Sequence, residues 1–133
     1  MLEIAVHDLD QARAALAAAE EASVLLRLRS APDAAGYAGV GYLKALGDEV
    51  GHELVIDCGD DAGLAMAALR EGCRRLAFSG SAEVAQKLAD MAVQIGAELR
   101  HETTPPDALV LSPEGDARAA VLAWLRSADE RAR

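Results

Sequence analysis

Short apolar runs alternate with longer segments of helical periodicity along the whole chain, and this alternation constrains the fold more than any other feature. The runs near residues 3–6, 24–28, 54–56, 75–78 and 97–100 have the length and composition of strands, and helical spacing of apolar residues fills the segments between them. Parallel neighbours in a sheet need crossovers of roughly a dozen residues. Successive strand–helix units of this size therefore predict a parallel sheet.

We interpret residues 1–133 as a single α/β domain, doubly wound around a mostly parallel five-stranded sheet with helices on both faces. The flavodoxin-like strand order 2-1-3-4-5 is the preferred arrangement. A half-barrel is the alternative, because the stretch from Gly63 to Gly80 is typical of the helix–strand units of (β/α) barrels. Residues 109–111 are left open as a short edge strand. The last helix, from Asp116 to about Glu130, is expected to bury most of Trp124 against the sheet, or else Trp124 covers a dimer interface.

Composition and charge exclude several classes of partner. The chain has 22 acidic and 13 basic residues, a net charge of −9 and a pI near 4.7, so binding to a nucleic-acid backbone or to an anionic membrane surface is not expected. No apolar run approaches the roughly 20 residues of a membrane span, and no signal peptide is recognised. The two cysteines, Cys58 and Cys73, are too far apart for a C-x-x-C motif. We therefore expect reduced thiols in a cytoplasmic protein.

Residues that can carry chemistry follow the predicted strands. In open parallel sheets, ligands bind beyond the carboxyl ends of the strands. The side chains at those ends supply an imidazole, two carboxylates, a guanidinium, a thiol and a hydroxyl: His7, Asp8, Arg29, Asp57, Cys58 and Ser79. These six residues are the candidate ligand-binding set, suited to acid–base chemistry or to an anionic ligand. No catalytic residue is assigned.

Each candidate also has a structural explanation. Eight residues, two of the candidates among them, fall where helices need an N-cap: Asp8, Asp10, Asp60, Asp61, Ser79, Ser81, Ser112 and Asp116. Free cysteines such as Cys58 are more often small core residues than nucleophiles. Asp57 ends an apolar strand, and a carboxylate buried there is costly unless it is paired or used. Arg29 is its candidate partner, and His7 is the candidate base beside Cys58. We expect Asp57 to lie next to His7 or Asp8, since a 2-1-3 order places strands one and three side by side.

Specific catalytic and cofactor motifs are missing. The glycine cluster at residues 36–41 matches neither G-x-G-x-x-G nor a phosphate loop, and close helix packing explains it as well as anion binding does. Phe78-Ser79-Gly80 lacks the first glycine of a serine-hydrolase elbow. The histidines are scattered, so no metal site is predicted. The cofactor, if one exists, is left unknown.

In several positions the chain resembles the receiver domains of two-component signalling. The shared features are an acidic first loop with Asp8 and Asp10, an aspartate (Asp57) ending strand three, and a hydroxyl (Ser79) after strand four. The resemblance implies a phosphate-accepting regulatory domain. The chain departs from that family after strand five, where residues 100–102 replace the expected lysine and proline. The family is therefore not assigned.

Three functions follow from these observations. The first is a binding or protein-interaction module without catalysis, which includes a homodimer. The second is a small enzyme, or a domain that binds an anionic small molecule, with its site at the carboxyl ends of the strands. The third is a degenerate receiver-like regulatory domain. Whether the chain is an enzyme is left undecided.

Overall fold

The computed structural model describes the backbone of residues 2–132 and the side chains of residues 2–129, and it contains one parallel sheet interleaved with helices. The strands are β1 (Leu2–Val6), β2 (Leu26–Ser30), β3 (Val55–Asp57), β4 (Arg75–Phe78), β5 (Glu98–His101) and β6 (Leu109–Val110). The helices are α1 (Leu9–Glu21), α2 (Ala34–Tyr37), α3 (Val40–Val50), α4 (Ala62–Arg70), α5 (Ala82–Gln94) and α6 (Ala117–Ala132). The predicted α/β class with a parallel sheet is confirmed.

The strand order is β5-β4-β3-β2-β1-β6, and every neighbouring pair is parallel. The flavodoxin-like order was therefore wrong, and the first five strands follow one another as in the half-barrel alternative. The segment left open as an edge strand is β6, which pairs with β1 through Ile4↔Leu109. This sixth strand lies at the opposite edge of the sheet from β5, its predecessor in the chain.

The helices form a row in which α6, α1, α3, α4 and α5 contact one another in turn. Right-handed crossovers between strands in sequential order all advance in the same direction, so they keep these helices on one face of the sheet and not on both faces as expected. A flavodoxin-like order reverses direction and distributes helices over both faces. One apolar cluster joins the inner faces of the helices to alternate strand residues, among them Ile4, Leu28, Ile56 and Leu76.

Four of the predicted N-caps are observed, whereas Ser79 is not a cap, because Ser81 caps α5. The side chains of Asp8, Asp61, Ser81 and Asp116 each accept a hydrogen bond from a backbone N–H three residues later, at 2.8 to 3.3 Å. These bonds satisfy donors that the first turn of a helix leaves without partners. In α6, Trp124 packs against the apolar cluster with most of its surface buried, as expected, and Val121 is fully buried.

The sheet curves strongly. Arg100 on β5 and Glu3 on β1 have three strands between them, and in a flat sheet with strands about 4.8 Å apart their backbones would be about 19 Å apart. Nevertheless Arg100 Nη2 lies 2.9 Å from Glu3 Oε1. The face without the helix row must therefore be concave, and side chains from opposite ends of the sheet meet over it.

Candidate functional site

The concave face combines small residues with charged ones. Ala5, Val55 and Ala77 are at most 1% exposed, yet they lie outside the apolar cluster beneath the helices. The register places Ala5 and Val55 on either side of Arg29, on the two neighbouring strands. Small neighbours leave room for a long side chain, so the Arg29 guanidinium can occupy the concave side of the sheet.

Arg29 is fully buried and lies at the centre of a group of ionic contacts. Its Nη1 is 3.2 Å from Glu102 Oε1 and 3.6 Å from Glu3 Oε1, and its Nη2 is 3.6 Å from Asp57 Oδ2. Arg100 Nη2 contacts the same Glu3 and Glu102 oxygens at 2.9 and 3.0 Å. These five residues form what we call the Arg29 cluster, with three carboxylates around two guanidinium groups.

The cluster compensates the burial of its charges only in part. Burial by itself lowers the pKa of Arg100, but the hydrogen bond to Glu3 and the charges of Glu3 and Glu102 outweigh it, so the pKa of Arg100 is raised. Arg29 Nε and Nη2 have no hydrogen-bond partner, although Nη2 faces Asp57. Removing one partner of such a buried ion pair strongly destabilises the folded protein, because the other charge is left buried without compensation.

Asp57 is held by its neighbours as well as by Arg29. Its Oδ1 accepts a hydrogen bond from Gly59 N at 2.9 Å, and its own backbone N donates to Ser30 Oγ at 2.8 Å. Its side chain is 8% exposed. Arg29 and Asp57 thus come together as predicted, in an arrangement that explains the buried carboxylate without a ligand.

His7 does not join them. Its Nε2 lies 2.9 Å from Leu111 O, beyond β6, and its backbone N donates to Gln11 Oε1 at 2.7 Å. The prediction that Asp57 lies beside His7 or Asp8 was wrong, because β2 separates β1 from β3. Asp8 serves as the N-cap of α1.

Cys58 is a core residue. It is 2% exposed, packs in the apolar cluster, and its Sγ lies 3.7 Å from Ile56 O. Burial, with a smaller contribution from the charge of Asp57, raises the pKa of Cys58 to about 12. A pKa raised in this way keeps the thiol protonated at neutral pH, which disfavours a role as a nucleophile. Burial likewise raises the pKa of Cys73 to about 11.

Ser79 is exposed, and its backbone N donates to Gly59 O at 2.8 Å.

A second group of polar residues lies at the carboxyl ends of β2 and β3. Asp33 adopts a left-handed conformation with φ of 58°, and a Cβ on Gly59 would lie 2.4 Å from Asp33 Oδ1. Partial burial and the charges of Asp33 and Asp57 raise the pKa of Tyr37. Asp33, Tyr37 and Asp57 therefore share this end of the sheet, which we call the carboxyl edge. Among the side chains of residues 2–129, no group of three or more His, Cys, Asp or Glu is placed to hold a metal ion.

Sequence reasoning missed Glu3, Arg100 and Glu102. A usable signal was present for the first two, since charged residues occupy alternate positions on the strands, opposite the apolar ones. Glu3, Arg29 and Arg100 all follow that alternation. Glu102 lies beyond β5, and no local pattern connects it with Arg29.

An apolar groove runs between α4 and α5 on the outside of the helix row. It has a volume of about 560 Å³ and is lined by Met66, Leu69, Arg70, Met91, Gln94 and Ile95. Met66, Met91 and Ile95 are 37%, 42% and 56% exposed. The α4–α5 groove is therefore an open surface that presents apolar side chains to solvent.

A smaller cavity of about 250 Å³ lies between α3 and α4, near the residues that precede β3 and β4. Its apolar lining includes Leu43, Leu54 and Cys73, and its charged lining includes Lys44 and Asp48, which pair with each other at 2.9 Å. This cavity is at the amino ends of the strands, where conserved features of parallel α/β folds usually serve stability.

Comparisons with known proteins give no functional information. No family model matches the chain, and neither curated proteins nor solved structures give a significant match. Within residues 2–132, no helix is both long enough and apolar enough to cross a membrane. The observed strand order also differs from the flavodoxin-like order of receiver domains, so we do not carry the receiver alternative forward.

Proposed function

We propose that the protein is a binding module without catalysis and that it holds a partner protein in the α4–α5 groove. The contacts of the predicted site residues support the first part of this proposal, a module without catalysis. The groups suited to chemistry are engaged elsewhere: Asp57 with Arg29 and Gly59, His7 with the backbone beyond β6, and Cys58 in the core. No nucleophile pairs with a base among the hydrogen bonds described for residues 2–132.

The exposed methionines of the groove carry the proposal. Met66 and Met91 line opposite walls of one apolar concavity, with Ile95 and Leu69 beside them. Methionine is unbranched and polarisable, so it fits partner side chains of different shapes and is common at binding surfaces. A contiguous exposed apolar surface on a small domain marks an interaction site more often than scattered apolar residues do. Grooves between helices accept the apolar face of a partner helix.

Fluorescence anisotropy with labelled peptides tests this function. The probes are amphipathic helical peptides with one apolar stripe and acidic, neutral or basic polar faces. We expect at least one peptide to bind, and Met91→Gln to weaken its affinity at least about fivefold, since an anchor removed from an interface costs 1 kcal/mol or more. Val93→Gln is the matched control, because Val93 is 75% exposed on the same helix and does not line the groove.

Two results would contradict the proposal. One is that no peptide binds at concentrations up to the millimolar range. The other is that Met91→Gln and Val93→Gln weaken binding equally, which would place the contact outside the groove. Circular dichroism and melting temperature must show that both variants remain folded.

A second candidate is a small-molecule site at the carboxyl edge, in a small enzyme or a domain that binds an anionic metabolite. The position of Asp33 against Gly59, with Asp33 in a left-handed conformation, favours it. Non-glycine residues in sparsely populated backbone conformations cluster at functional sites. A thermal-shift screen of metabolites tests this candidate, and a hit must lose its shift in Tyr37→Phe. A screen without such a hit removes it.

Charge and cysteine usage complete the proposal. A net charge of −9 disfavours nucleic acid and anionic membranes as partners. Cys58 and Cys73 are both free thiols, as expected in the reducing cytoplasm, where we place the protein. A homodimer through the same groove is a further outcome that the solution mass of the protein distinguishes.

A further inference from the structure

We infer that the partner in the α4–α5 groove is an amphipathic helix whose carboxylate-bearing end lies against Arg70 and Arg74. This inference rests on the proposed function and names the chemistry of the partner. It follows from the dimensions of the groove and from the charges at one end of it.

The walls of the groove suit a helix of about three turns. Both α4 and α5 follow strands of one parallel sheet, so they run in the same direction with the groove between them. The shorter wall, α4, has nine residues and is therefore about 13 Å long at 1.5 Å per residue. Apolar residues of a partner at positions i, i+3 or i+4, and i+7 span a comparable length on one helix face.

The positive charges lie at one end of the groove. Arg70 is the last residue of α4 and the one charged residue among the six that line the groove. Arg74 Nη1 lies 3.7 Å from the position of a Cβ on Gly96, next to Ile95. Both guanidinium groups are therefore near the carboxyl ends of α4 and α5.

Neither arginine is strongly neutralised within the described residues. Arg70 Nε reaches the backbone oxygen of Met66 at 3.5 Å, and no ion pair is recorded for it among residues 2–132. Arg74 pairs with Glu53 at 3.7 Å, but the two side chains are 62% and 55% exposed. Such exposed pairs are weak. Both arginines are therefore accessible to a carboxylate on a partner.

Charge complementarity favours this partner over a second copy of the chain. Two copies carry −9 each and repel one another over the range of the Debye length, about 8 Å at physiological salt, whereas a short helix brings only the few carboxylates that face the two arginines. A basic helix would place its cations against Arg70 and Arg74. A helix with apolar anchors on Met66 and Met91 and carboxylates at one end avoids like charges at that end of the groove.

The experiment compares two labelled peptides by fluorescence anisotropy at low salt. They share one apolar stripe and differ only in three end residues, which are Glu in one and Lys in the other. We expect the Glu peptide to bind the parent about two- to fivefold more tightly for each arginine that it contacts, the range of exposed ion pairs. Arg70→Glu should abolish or reverse that preference, and Arg70→Gln should give an intermediate ratio.

The same measurement separates failure of the inference from failure of the proposed function. If both peptides bind equally to the parent and to Arg70→Glu, yet lose affinity in Met91→Gln, the groove binds helices and the carboxylate inference is wrong. A dimer in sedimentation equilibrium that Met91→Gln dissociates also overturns the inference, because the occupant is then a second copy. If neither these two peptides nor the amphipathic peptides with acidic, neutral or basic polar faces bind, both the inference and the proposed function are wrong. Arg13→Glu, an exposed substitution on α1, controls for net charge.

Discussion

Replacing Arg29 with methionine tests whether the concave face is held together by the Arg29 cluster. The substitution keeps an apolar side chain of comparable length and removes the charge. Removing one partner of a buried ion pair costs about 3–5 kcal/mol, because the remaining charge stays buried without compensation. The structure indicates how that cost is divided among the three carboxylates.

Glu3 and Glu102 retain partners in Arg29→Met, because Arg100 contacts both of them at 2.9 and 3.0 Å. Glu102 is also 26% exposed and can be hydrated. Asp57, with 8% of its side chain exposed, keeps only the N–H of Gly59. The loss falls mainly on Asp57, so we expect about 3 kcal/mol, the lower end of the range for a buried pair.

Urea denaturation at pH 7, followed by circular dichroism, measures the change. With a slope of about 1–3 kcal/mol per molar urea, a loss of about 3 kcal/mol moves the midpoint down by about 1–3 M. Arg13→Met is the matched control. The Arg13–Glu49 pair is 57% and 61% exposed, so its loss should cost less than about 1 kcal/mol.

A double variant tests whether the uncompensated charge of Asp57 causes the loss of stability in Arg29→Met. Arg29→Met combined with Asp57→Leu removes both charges, and it should be more stable than the two single losses added together predict, by about 0.5–3 kcal/mol. Equal midpoints for Arg29→Met and Arg13→Met would refute a structural role for the buried guanidinium. Strict additivity in the double variant would refute the pairing with Asp57.

The remaining predictions concern the cysteines and two glycines. The pKa values of Cys58 and Cys73 are raised to about 12 and 11. Both thiols should therefore react slowly with Ellman's reagent at pH 8 in the folded protein and rapidly in urea. Fast reaction without urea would contradict their burial. The unfolded state releases these thiol protons near pH 8.5, while the folded state retains them. The thiols therefore lower the free energy of unfolding as pH rises from about 8.5 toward 11. In urea titrations, Cys58→Ala should make the free energy of unfolding fall less steeply over that pH range. Gly59→Ala should destabilise the protein by about 1–3 kcal/mol, since φ of Gly59 is +59° and the new Cβ meets Asp33 Oδ1. Gly41→Ala, in open space on α3, should stabilise the protein by about 0.4–1 kcal/mol. Similar melting temperatures for the two variants would contradict these expectations.

The alternation of strands and helices was predictable because it depends on local periodicity and capping. Asp8, Asp61 and Ser81 cap helices at the predicted positions because the capping bond spans only three residues. Strand order was not predictable in this way. It depends on contacts such as those between Arg100 and Glu3, which are 97 residues apart in the chain.

The candidate site was predictable only in part. Arg29 and Asp57 were correctly paired because a buried carboxylate needs a cation. The neighbours assigned to Asp57 followed from the wrong strand order. For Cys58 a core position was favoured over a nucleophile, and strand alternation gives the reason, since Cys58 follows Asp57 and points to the opposite face. The α4–α5 groove was not predicted, because Met66 and Met91 have no spacing signal in the sequence and meet only when α4 packs beside α5.

Methyl NMR of the methionines tests the proposed binding surface most directly. In protein labelled with ¹³C at the methionine and alanine methyl groups, the Met66 and Met91 signals can be assigned from Met66→Leu and Met91→Leu variants. On titration with the Glu-ended amphipathic peptide, both signals should shift and saturate together, while the methyl signals of Ala5 and Ala77 on the concave face stay unchanged. Saturating shifts of Ala5 and Ala77 without a change at Met66 and Met91 would contradict binding in the α4–α5 groove.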